Sequence, residues 1–201
     1  MSFRNQNKIT SLTRFKDLDS LGELYGAVTN RYNFKANHHE GKITGLAAYG
    51  EYSRAVDVLF QYVSVVNGEV SIKNLSGLRG LLVERVFPNI VKRRCGTSIR
   101  NIIDIAEAET NNYADLAFAI QLVLEQSVLE IASYWKSKTD AKGVSLAGGV
   151  FANVKLNQKI NELDWVDEVY VYPAMGDEGL SLGACIYKAV QLGEWTKPKR
   201  F

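Results

Sequence analysis

Apolar positions along the chain keep a helical period over most of its length and a shorter period in two places. Leu21, Leu24, Tyr25 and Val28 recur at i, i+3, i+4 and i+7, which predicts an apolar helix face over 21–30. Ser20 precedes it and Glu23 follows three positions later, the spacing of a capping box. Residues 41–50 (GKITGLAAYG) predict a short second helix bounded by glycines, and 54–62 a third. Residues 63–73 place Asn67-Gly68 between two β-branched runs, the strongest short hairpin signal. Leu78, Leu81, Leu82, Val86 and Phe87 suit a helix that stops before Pro88. The clearest helix covers 112–138, where Leu116, Ile120, Val123, Ser127, Ile131 and Trp135 form a face with Leu124 and Val128 beside it. Asp115, Gln121, Glu125, Gln126 and Glu130 fall largely off that face. At about 1.5 Å per residue such a helix spans roughly 40 Å.

Beyond 138 the pattern alternates. Residues 143–147 (GVSLA) and 168–172 (EVYVY) read as strands, and 150–163 and 179–192 as helices. This order predicts two parallel strands joined by a right-handed crossover, with the long helix packed on their sheet. Residues 1–19 are polar and read as a short strand or loop.

Composition narrows the classes. The chain has 201 residues, 46% apolar and 23% charged, with 24 Lys and Arg against 22 Asp and Glu. A net charge of +2 argues against a strongly basic nucleic-acid binder. No uninterrupted apolar run approaches about 18 residues, so no membrane span is expected, and the polar N-terminus lacks the apolar core of a secretory signal. Cys95 and Cys185 show no CxxC spacing, which excludes a disulfide framework or zinc ribbon and fits a reducing cytoplasm. Cys185 falls on the apolar face of the last predicted helix and is expected to be an inert core thiol. His38-His39, one residue apart, would point in different directions on a helix. Lys92-Arg93-Arg94 reads as a solvated loop, or as a phosphate-facing patch.

The candidate chemistry lies in two glycine-bearing turns, 146–153 (LAGGVFAN) and 173–179 (PAMGDEG). Each sits at the carboxyl end of a predicted strand, where open α/β sheets bind ligands, and each precedes a helix whose free N–H groups attract an anion. Gly148 and Gly149 remove the Cβ atoms that would block a nucleotide. Val150 and Gly176 lie in the same turns. Asn153 is expected one turn into its helix, with its amide facing the cleft. Asp177 suits either a hard-cation ligand or an N-cap. The pattern is neither GxGxxG nor GxxxxGK[ST], so it predicts neither a Rossmann nor a P-loop site.

Several motifs, in order, resemble those of the O-carbamoyltransferases of the nodulation-factor and antibiotic-tailoring type. Ser20-Leu21-Gly22 with Tyr25, Ala27 and Thr29 is similar to their SLGxxYxAxT segment. Glu40, Lys42 and 45–50 (GLAAYG) resemble ExKxMGLAPYG, with Thr44 in place of Met and Ala48 in place of Pro. Ala114 to Ala117 with Gln121 resembles the start of their long helix. LAGGVFAN and PAMGDEGLSLGA resemble LAGGVALN and PAAGDxGxxLGA, and GGVFAN is also similar to the GGVAAN of tRNA threonylcarbamoyltransferases.

The resemblance implies an α/β fold, one lobe of the actin-like ATPase architecture with a ribonuclease H-like mixed sheet, over 20–195. Residues 1–19 would be an N-terminal segment and 196–201 a basic tail. It implies an ATP or carbamoyl adenylate pocket at Gly148, Gly149, Val150, Asn153 and Gly176, lined by Glu40 and Lys42, with Asp177 on a divalent metal such as iron. Catalytic groups stay unassigned. The implied reaction passes a carbamoyl group from carbamoyl adenylate to a small-molecule hydroxyl acceptor. Carbamoyl phosphate would enter through a domain outside this chain, so the chain is expected to be an incomplete enzyme. Neither a nucleic acid nor a membrane partner is implied, and a homodimer is admitted. The alternatives are an isolated nucleotide-binding or interaction module and a small-molecule kinase of the same superfamily.

Overall fold

The computed structural model describes residues 2–5, 8–13, 19–73 and 99–194. The helix expected before Pro88, Lys92-Arg93-Arg94, Cys95 and the basic tail lie outside them. Strands β1 (Ser2–Asn5) and β2 (Lys8–Ser11) pair antiparallel. Helix α1 (Leu21–Arg31) starts where the capping signal places it: the Ser20 hydroxyl accepts the Glu23 N–H at 3.2 Å. Leu21, Leu24, Tyr25 and Val28 form its buried face. Helices α2 (Glu40–Ala47) and α3 (Arg54–Tyr62) follow. Strands β3 (Val63–Val66) and β4 (Glu69–Ile72) then pair in the register Val63↔Ile72 and Val66↔Glu69. Their turn holds Asn67 at φ 53° and Gly68 at φ 74°, the two positive angles a type I′ hairpin requires.

Residues 99–107 form helix α4, and the long helix α5 runs Asp115–Lys136. Its 22 residues make it about 33 Å long, shorter than expected because the chain from 112 to 114 is spent capping it. Leu116, Ile120, Val123 and Ile131 are buried as the period predicts. Two polar residues expected off that face are buried too, Asp115 and Gln121, because each meets groups on distant segments. α5 packs mainly on α2 and α3, and also on α1, the β3–β4 hairpin and the helix at Val154–Asn161. The strands at 143–147 and 168–172 are therefore not its principal support, contrary to the sequence expectation. Trp135 fastens the hairpin by donating from Nε1 to the Gly68 carbonyl at 3.1 Å.

Strands β5 (Gly143–Leu146) and β6 (Glu168–Val171) pair in parallel, Gly143 opposite Glu168 and Leu146 opposite Val171. Among the described residues the strands form three separate pairs; the α/β class holds. The segment expected as one helix from 150 divides into a tight turn, Gly149–Ala152, and helix α6, Val154–Asn161. The break lies at Asn153, whose side chain caps α6. Helix α7 (Leu180–Leu192) buries none of its residues. Cys185 is exposed, which corrects its expected place in the core: an apolar stripe gives a face but not what covers it.

Candidate functional site

The two glycine turns meet in space. The parallel register brings the ends of β5 and β6 level, and the Gly148 N–H donates to the Met175 carbonyl at 2.6 Å. Gly148 takes φ 113° and ψ 147°, a region closed to residues with a Cβ. At both Gly148 and Gly149 an added Cβ would meet nothing within 4 Å. The space outside the strand ends is open, and backbone approaches it without side-chain cover.

Val150 turns the other way, onto α1: a Cβ on Gly22 would lie 3.2 Å from Val150 Cγ2. Gly22 also lines a shallow cleft with Glu23, Gly26, Asn30, Asn37 and Arg100. Glycines at i and i+4 share one helix face, so Gly22 and Gly26 form a strip on α1 without side chains, onto which Val150 and Ala36 pack closely. Glu40 stands at its edge, its Oε1 at 4.0 Å from a Cβ on Gly26 and accepting the Asn37 N–H. Lys42 is not among the lining residues; its Nζ lies 4.7 Å from the Phe34 ring centroid, a cation–π placement.

Asn153 differs most from expectation. It stands at the N-cap of α6, not one turn inside it. Its Oδ1 accepts the Leu156 N–H at 3.0 Å, and its Nδ2 donates to Gln121 Oε1 at 2.8 Å and Thr44 Oγ1 at 3.3 Å. The amide is drawn inward by a buried polar cluster, not toward the open turn. Tyr25 completes that cluster, donating to Gln121 Oε1 at 2.9 Å. Burial pushes the Tyr25 phenol up to about 12, so it stays a neutral donor.

Gly176 precedes the second turn, and a Cβ there would press on the Glu178 carboxylate. Asp177 is exposed at the start of that turn, Asp177–Gly179. Among the described residues no three His, Cys, Asp or Glu side chains gather as a metal site. One carboxylate does not by itself hold a hard cation, which takes about six or more oxygens. His38 and His39 lie just before α2, where the His39 Nδ1 accepts the Lys35 N–H at 3.1 Å.

A family model described as Carbamoyltransferase N-terminus matches residues 1–186. The chain belongs to this carbamoyltransferase family. It is 31% identical over 182 residues to the uncharacterised protein MJ1058 of Methanocaldococcus jannaschii, covering 89% of this chain and 27% of that one. It is 29% identical to the nodulation protein NolNO of Sinorhizobium fredii, over 93% of this chain and 25% of the relative. The nodulation protein NolO of Bradyrhizobium diazoefficiens is also 29% identical, over 92% and 31%. The chain thus spans about a quarter to a third of the length of these relatives.

In this family member the structure places Val150 against Gly22 and Glu40 near Gly26, one turn further along α1; Asp177 lies in the turn neighbouring Gly148 and Gly149, and Lys42 does not line the cleft. The sequence reading missed the cleft residues Gly26, Asn30, Asn37 and Arg100. Its available signal was the pair Gly22 and Gly26, four apart in a helix that would otherwise avoid glycine.

Proposed function

We propose that the chain is the nucleotide-holding lobe of an ATP-dependent O-carbamoyltransferase, built on the actin-like ATPase plan. One observation carries this: the uncovered Gly148–Gly149 turn, at the ends of two parallel strands, adjoins through Val150 and Gly22 the polar cleft on α1. The phosphate end of carbamoyl adenylate lies over the turn, where backbone approach is free. The nucleoside end lies along Gly22 and Gly26, with Glu40, Asn30 and Asn37 as polar partners. Asn153 serves the site by holding the turn, and Asp177 would be a single ligand to any divalent metal there, one that Asp177 alone would not hold. The acceptor hydroxyl attacks the carbamoyl carbon, a new C–O bond forms, the bond to the adenylate oxygen breaks, and AMP and a proton leave. Backbone N–H groups facing the reacting oxygens favour the charge that develops there.

The second reading is a nucleotide-binding module without transfer activity, since a fold does not fix the reaction. The test supplies the chain with carbamoyl adenylate and a polyhydroxyl acceptor and identifies products by mass. Carbamoylated acceptor with AMP supports transfer. Phosphorylated acceptor formed from ATP indicates a kinase, and binding without either product indicates a module. Gly149→Val should cost at least tenfold in ATP affinity by calorimetry with little change in melting, since its Cβ enters open space.

A further inference from the structure

The polar cluster beneath the turn is saturated with hydrogen bonds. Gln121 is 7% exposed. Its Oε1 accepts from Tyr25 Oη at 2.9 Å and Asn153 Nδ2 at 2.8 Å, and its Nε2 donates to Glu125 Oε1 at 2.6 Å and Asn153 Oδ1 at 3.3 Å. A primary amide offers two donors and two acceptor positions, so Gln121 is full. Asn153 is full as well: Oδ1 serves Gln121 and Leu156, and Nδ2 serves Gln121 and Thr44. The two amides are joined reciprocally, which fixes both planes at once. Thr44 Oγ1 lies 2.9 Å from Tyr25 Oη, so α1, α2, α5 and the α6 cap are held at one point.

That point sits directly behind the turn. The Asn153 cap sets where α6 begins, its backbone N–H donates to Val150 at 3.1 Å, and Asn157 on α6 donates from Nδ2 to the Phe151 carbonyl at 2.8 Å. We infer that Gln121 is a positioning residue for the nucleotide turn: by saturating the Asn153 amide it fixes the α6 cap, and through the cap the path of Gly148 to Ala152. This rests on the proposed nucleotide reading for its consequence, but not for its geometry. Two features favour it over a purely structural tie. A buried amide costs stability unless fully paired, and an apolar residue of the same shape would fill α5 as well. The cluster also joins the turn to α2, whose first residue, Glu40, stands at the edge of the cleft.

Gln121→Met keeps the length of the side chain and removes all four hydrogen bonds. It is compared in the 201-residue chain with wild type, Gly149→Val and the milder Tyr25→Phe, by ATP calorimetry, thermal melting and residue-resolved amide hydrogen exchange. The inference expects Gln121→Met to speed exchange at the Leu156 and Asn153 amides at least tenfold. It also expects a loss of ATP affinity of at least fivefold while the melting midpoint stays within a few degrees. Tyr25→Phe should move both readouts the same way by less. If exchange at Leu156 and Asn153 is unchanged, the inference is overturned whatever happens to ATP. If exchange rises but ATP affinity holds while Gly149→Val loses it, the positioning role is likewise overturned. If exchange rises and neither variant alters ATP affinity, the nucleotide reading fails and the geometric inference stands. Should Gln121→Met not fold, Tyr25→Phe decides by the same measurements.

Discussion

Removing the Asp115 carboxylate should unlatch the α2–α3 connection from the start of α5. Its Oδ1 accepts the Glu51 N–H at 3.0 Å, and its Oδ2 accepts those of Asn111 at 2.9 Å and Asn112 at 3.0 Å. The side chain is 1% exposed. A hydrogen bond to a charged group is worth about 1.5–3 kcal/mol net. Glu51, Asn111 and Asn112 are exposed residues, so water recovers part of each bond once the carboxylate is gone. Asp115→Ala should therefore cost about 3 kcal/mol, a large share of the roughly 5–15 kcal/mol that holds a domain together. At a urea slope near 2 kcal/mol per molar, the midpoint would fall by about 1.5 M. Asn at this position keeps one acceptor but sets an NH2 group against backbone N–H groups, so it should recover less than half. Burial alone would raise the carboxyl's pKa, but the three N–H donors outweigh it and hold the group below its usual value. With the native value lowered, the contribution is complete above the ordinary carboxylate pKa of about 3.9 and is lost as pH falls through the native one. A loss below about 0.5 kcal/mol at neutral pH, or an acid limb identical in wild type and Asp115→Ala, would refute the latch.

Gly26→Ala should stabilise α1 by about 0.5–1 kcal/mol, because glycine is costly in a helix interior and the added Cβ meets only ordinary contacts at 3.5 and 4.0 Å. The same methyl lies against Ala36 and Glu40 at the cleft wall, so ATP affinity should fall as melting rises; both moving up together would count against the cleft. Tyr25 and Tyr32 are both pushed by burial to about 12 from an ordinary 10.0. Spectrophotometric titration should leave at least Tyr25 and Tyr32 un-ionised at about pH 11, and stability should fade as pH rises from about 10 towards 12. Uniform tyrosine ionisation near 10 in the folded chain would contradict this.

Local elements were legible where one chemical rule decides them. The Ser20 cap, the Leu21–Val28 face and the Asn67-Gly68 hairpin are set within a few residues, and each formed where its pattern lies. The parallel pairing of β5 with β6 followed from element order. Gln121 was not legible, because a helix face sorts residues by polarity, while the partners that bury this one come from Tyr25, 96 positions away, and Asn153, 32 away. Asp115 was misplaced for the same reason. The motif singled out Asn153, but it does not show whether an amide faces a ligand or caps a helix; the Leu156 N–H, whose hydrogen bond the Asn153 side chain accepts, decides that. The separation of the strands into three pairs depends on tertiary packing that short apolar runs do not encode.

On the proposed reading, the surface from the Gly148–Gly149 turn to the Gly22–Gly26 strip receives an adenine nucleotide. Titrating ATP into the 15N-labelled chain while following backbone amides tests it directly. Gly148, Gly149, Val150, Gly22 and Gly26 should shift along one saturating curve, with α3 and the β3–β4 hairpin unmoved. Shifts confined to other surfaces, or none at millimolar ATP, would contradict it.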